Sequence, residues 1–79
     1  MPFLIIAHTV GQVRARGADI RNKRELAGYS LTRFAREVDV SPAHLSRVER
    51  GQRGAQPELL ARIAAGLKVA IADITDSPG

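Results

Sequence analysis

Arg33, Arg36, Arg47, Arg50 and Arg53 carry the chemistry with which this chain could act on a partner. A guanidinium is a planar fork of five N–H donors that matches phosphate oxygens, or the O6 and N7 edge of a guanine. Catalytic groupings are missing by comparison. The chain has no Cys, and neither His8 nor His44 has a carboxylate at dyad or metal-ligand spacing. No glycine run has P-loop or dinucleotide-binding spacing, so no enzyme, metal or cofactor is expected.

The elements that must position these arginines are legible as short amphipathic helices. The first is expected from about Ala18 to Ala27, with Gly28 supplying the φ > 0 residue that ends it. Ser30 caps a second from Leu31 to about Val38, burying Leu31, Phe34, Ala35 and Val38. Asp39 sits where a left-handed residue is needed, and Val40 plugs the angle. Ser41 and Pro42 open a third helix, with Leu45 and Val48 inward and Ala43, His44, Ser46, Arg47 and Arg50 outward, ended by Gly51. This spacing fits a helix-turn-helix, whose second helix enters a DNA major groove. Pro57 begins a fourth helix with Leu60, Ile63, Ala64 and Leu67 inward, and Gly66 permits close packing. Ile71 to Ile74 form a last helical turn, and residues 76–79 are a polar tail.

Charge placement agrees with that reading. The net charge is +4 over 79 residues, and residues 14–53 hold ten basic against five acidic side chains. A basic segment coinciding with a helix pair is an electrostatic footprint for nucleic acid. The length allows one small domain, residues 17–75, for which a helical bundle or an oligomer is the economical route to stability. No apolar run approaches a membrane span of about 20 residues, and no basic leader precedes the first apolar run, so a cytoplasmic, nucleoid-associated protein is expected. The exception to the helical pattern is residues 1–16. Phe3–Ala7 reads as a strand or arm, either covering a flank of the core or pairing with its equivalent in a homodimer.

From Ile20 to Thr75 the chain resembles the lambda-repressor-like, or XRE/Cro-type, helix-turn-helix family. The resemblance is carried by Ile20-Arg21, Arg24, Gly28-Tyr29-Ser30, Phe34-Ala35, Val38-Asp39-Val40-Ser41 and Leu60-Ala61-Arg62-Ile63-Ala64. The run Leu45-Ser46-Arg47-Val48-Glu49-Arg50-Gly51 is the most specific part. It implies an all-α, compact five-helix DNA-binding domain, here preceded by a short arm. It also implies a dimeric, sequence-specific binder of double-stranded DNA acting as repressor, phage or mobile-element switch, or antitoxin. Arg24 and Glu49 stand where that family commonly pairs its first helix with its third, a structural pair. Two positions depart from the pattern: Leu31 stands where Gln often reaches a phosphate, and Asp39 where the turn commonly has Gly.

On this reading Arg47 leads the base-reading set, with Pro42, Ala43, His44 and Ser46 beside it; the alternative for Arg47 is one more phosphate contact. Phosphates fall to Arg33, Arg36, Ser41, Arg50, Gln52 and Arg53, and Arg14 and Arg16 could follow the backbone or enter the minor groove. A homodimer on a pseudo-palindromic operator is expected. The alternatives are an antitoxin gripping a toxin, a recombination accessory factor assisting a recombinase, and a KH-like RNA module through Gly51-Gln52-Arg53-Gly54.

Overall fold

The computed structural model describes residues 14–76, and the apolar stretch Phe3–Ala7 lies outside them. The described chain runs β1 (Arg14–Ala15), α1 (Gly17–Leu26), α2 (Leu31–Glu37), α3 (Pro42–Glu49), α4 (Pro57–Leu67), a 3-10 turn (Ile71–Asp73) and β2 (Thr75–Asp76).

Local chemistry sets the helix starts. Ser30 Oγ accepts from the Arg33 N–H and Ser41 Oγ from the His44 N–H, each at 3.1 Å, satisfying donors that a first helical turn leaves orphaned. Pro42 and Pro57 occupy first helical positions, where no N–H is needed. All four helices end alike. After each, one residue turns left-handed, and its own N–H and that of the next residue bond back to the final carbonyls, as at Gly51 N to Val48 O (3.1 Å) and Gln52 N to Arg47 O (2.9 Å). Glycine supplies that residue after α1 and α3, whereas Asp39 and Lys68, both at φ 59°, supply it after α2 and α4.

The helices close over Ile20, Phe34, Ala35, Val38, Leu45, Val48, Leu59, Leu60, Ile63, Ala64 and Ile74, all buried. Phe34 is the largest, and Gly66 lies so close to its ring that a Cβ there would sit 3.1 Å from it. Two expectations about facing shift by part of a turn. Leu31 and Leu67 are only half-buried, because they cap the ends of their helices, and Leu59 takes the inward place beside Leu60.

The five-helix, all-α expectation is corrected at the C-terminus. Ile71–Asp73 makes a single 3-10 turn, held by Ala70 N–H donating to Asp73 Oδ2 at 3.1 Å, and the chain then straightens. Thr75–Asp76 pairs antiparallel with Arg14–Ala15, with Arg14 opposite Asp76, and Arg16 N–H donates to Ile74 O at 2.7 Å. Arg14 and Ala15 are therefore tied into the fold, and Asp76 belongs to a strand and not to the tail.

Candidate nucleic-acid interface

The 3.6-residue period of α3 divides its side chains into three strips. Leu45, Val48 and Glu49 are buried; Pro42, Ala43, Arg47 and Arg50 are exposed; Ser46 and His44 lie half-buried along the two flanks. The exposed strip runs the length of the helix, with the open N-terminal turn at Pro42 and Ala43.

What holds this strip outward is a clamp from α1. Arg24 Nε donates to Glu49 Oε2 at 2.7 Å and Nη2 to Oε1 at 3.0 Å, a bidentate bond between residues only 6% and 7% exposed. Nη1 donates to Tyr29 O at 2.9 Å, so three donors of the guanidinium are used. The Glu49 bond raises the Arg24 pKa above its ordinary value against the opposing effect of burial, and the residue stays charged across the working pH range. Gly17 completes the seat. Its Cα lies so near the last carbonyls of α3 that a Cβ would stand 2.5 Å from Glu49 O and closer still to Val48 O. Sequence reasoning missed Gly17, since nothing local marks a contact made across more than 30 positions.

Apart from Arg14, which is exposed and unpaired on β1 among the described residues, the arginines fall into two groups. Arg16, Arg21, Arg24 and Arg62 are paired with Asp19, Glu25, Glu49 and Glu58. Among the described residues Arg33, Arg36, Arg47, Arg50 and Arg53 have no carboxylate within ion-pair distance, and all five are exposed. The Arg33 guanidinium lies 5.7 Å from the centroid of the Tyr29 ring, which in turn packs 5.1 Å from Phe34. Ser41 Oγ is used as the helix cap, leaving its O–H to donate, and Gln52 keeps its side chain exposed in the turn after α3. Arg16 is 2.7 Å from Asp19, a neighbour that sequence reasoning did not set against it.

His44 differs from its expected outward position. It sits on the α4 flank of α3 beside a cavity of about 300 Å³ shared with Asp39, Gln56, Glu58 and Arg62, and its Nε2 is enclosed without a hydrogen-bond partner. The cause is its place on the wheel, one residue past Ala43 and turned toward α4, so this conformation offers no Nε2 to a base edge. Arg62, given no role in the sequence beyond the resemblance it helps carry, lines that cavity: Nε donates to Val38 O at 2.9 Å, tying α4 to the turn between α2 and α3. Among the described residues no group of His, Cys, Asp or Glu is placed to hold a metal, and no helix is long and apolar enough to cross a membrane.

A seven-residue helix, a turn through left-handed Asp39 and an eight-residue helix clamped from behind make a helix-turn-helix. The chain belongs to the helix-turn-helix family HTH_3, whose profile matches residues 20–74. It is 42% identical over 53 residues to an uncharacterised HTH-type transcriptional regulator of Mycobacterium tuberculosis, a match covering 67% of this chain and 38% of that protein. The chain thus spans about two fifths of the length of that relative. Among solved structures it is similar to the clp gene regulator ClgR from Corynebacterium glutamicum, with TM-score 0.71 and 38% identity over 76% of this chain and 64% of the other. It is also similar to SinR, a master regulator for biofilm formation solved in complex with DNA, with TM-score 0.69 and 29% identity over 72% and 95% of the two chains.

Proposed function

We propose that this chain is a sequence-specific double-stranded DNA-binding domain of a transcriptional regulator, acting as a repressor. The observation that carries it is the segregation of charge: acidic side chains neutralise the arginines behind and beside the motif, while five arginines along α2, α3 and the following loop are left free. In this reading α3 lies in the major groove, Arg47 takes a guanine, and Pro42 and Ala43 pack against neighbouring bases. Arg33, Arg36, Arg50 and Arg53 neutralise phosphates, with Ser41 and Gln52 donating to others. The relatives' printed roles, and the SinR complex with DNA, support the same class.

An eight-residue helix reads few base pairs, so a homodimer placing two copies of α3 about one DNA turn apart is the economical reader of a pseudo-palindrome. The apolar stretch Phe3–Ala7 is the proposed dimer element.

Selection of bound duplexes from a random pool near physiological salt tests the proposal. Enrichment of a two-fold pseudo-palindrome supports a dimeric repressor domain. An asymmetric site overturns the dimer, enrichment only with a protein partner favours an antitoxin or recombination factor, and no enrichment from duplex or RNA pools overturns nucleic-acid binding.

A further inference from the structure

A cleft of about 220 Å³ opens between α1 and the last turn of α3, lined by Arg21, Arg24, Leu31, Ser46, Glu49 and Arg50. Arg24 and Glu49 form its floor and cancel one another. Its rim is cationic. Arg50 belongs both to the exposed strip of α3 and to this rim, so the cleft is continuous with the surface proposed to face DNA. Leu31 forms one wall and offers no polar group.

The two rim guanidiniums are lightly held. Arg50 Nε donates to Ser46 O at 3.4 Å and Arg21 Nε to Glu25 Oε2 at 3.3 Å; among the described residues no terminal nitrogen of either has a partner. The Arg21–Glu25 pair is more than half exposed on both sides, so water and salt leave it weak and a better anion displaces it. Two free guanidinium edges over a floor of cancelled charge suit a phosphodiester, which presents paired oxygens of the geometry that Arg binds bidentately.

We propose that this cleft takes a backbone phosphate of the bound DNA between Arg21 and Arg50, with Glu25 competing for Arg21. The proposal rests on the DNA-binding reading and adds α1 to the contact surface. Glu25 then sets affinity from outside the interface: it holds Arg21 back when DNA is absent.

The test uses the full chain with a fluorescein-labelled duplex from the selection and a scrambled duplex, titrated between 50 and 200 mM salt. Arg21→Gln should lower the log–log salt slope by about 0.9, which shrinks the loss of affinity over that range about threefold, equally for both duplexes. Glu25→Gln should instead strengthen binding to both, and the two variants should melt like the wild type. Slopes and affinities unchanged in both variants overturn the proposal. Inorganic phosphate alone shifting the Arg21 Nε–H resonance, while Arg21→Gln leaves duplex binding unchanged, assigns the cleft to a free anion and also overturns it. If the wild type binds neither duplex, the DNA-binding reading itself fails and this proposal falls with it.

Discussion

Arg24 and Glu49 meet in two parallel hydrogen bonds of 2.7 and 3.0 Å, across 25 positions of sequence and almost out of contact with water. The bond joins the last turn of α1 to the last residue of α3, so the rotation of α3 about its own axis is set from behind the exposed strip, at the floor of the cleft beside it. A buried ion pair of this kind contributes little net stability, because desolvation offsets its attraction; what it supplies is a single orientation.

Removing one member should therefore be far worse than removing both. Glu49→Ala leaves a buried guanidinium uncompensated and should cost about 3–5 kcal/mol, comparable with the whole stability expected of so small a domain. Urea denaturation should show a chain largely unfolded, with DNA binding lost in proportion. Arg24→Met combined with Glu49→Leu should recover most of the stability. A Glu49→Ala protein that melts like the wild type but does not bind would show that Glu49 acts at the interface and not behind it.

Gly17 should tolerate no side chain. The atoms a Cβ would strike are backbone carbonyls of Val48 and Glu49, which cannot swing away as a side-chain tip can. Gly17→Ala gains roughly 0.5–1 kcal/mol of helix preference and loses about 3 kcal/mol or more to overpacking, so the melting temperature should fall by ~10 °C or more. An unchanged melting temperature would mean that α1 and α3 do not approach as closely as described.

Much of this was legible in the sequence wherever the cause is local. Ser30 and Ser41 start helices, and Gly28 and Gly51 end them, through bonds spanning three to five positions, while Pro42 and Pro57 need no N–H where they stand. The left-handed turn at Asp39 was legible for the same reason. Features missed have distant causes. Gly17 meets α3, Arg62 reaches Val38 O from α4, and Arg14 pairs with Asp76 at the far end of the described chain. His44 was misplaced because an outward position on an isolated helix says nothing of α4 closing over one flank. The arginines show the same division: their clustering was visible in the sequence and the resemblance implied the Arg24–Glu49 pair, but the pairing of Arg16, Arg21 and Arg62 with Asp19, Glu25 and Glu58 was not read.

Lys68 is the fourth helix terminator and carries the least suitable side chain for it. Lysine has no short polar group to compensate a left-handed backbone, whereas aspartate partly does. Lys68→Gly should raise stability by about 0.5–1 kcal/mol and the melting temperature by several degrees, and Asp39→Gly should give a smaller gain. The ordering is the informative result: a larger gain at Asp39 would mean that its turn is strained by something besides φ.

Arg47 and Arg36 are both exposed and unpaired, yet they should fail differently when removed. Arg47 stands on the outward strip of α3, where a guanidinium fork reaches a base edge. Arg47→Ala should cost about 1–3 kcal/mol on the selected site and relax preference at one position per half-site. Arg36 lies on α2, which crosses the backbone in the proposed docking. Arg36→Ala should weaken every duplex alike and lower the salt slope by about 0.9. Neither side chain packs in the core, so both variants should melt like the wild type. Selection repeated with each variant, alongside salt titrations, separates the two roles. If Arg47→Ala returned the same consensus with only a shallower slope, Arg47 would be one more phosphate contact, and base reading would pass to Pro42, Ala43 and Ser46.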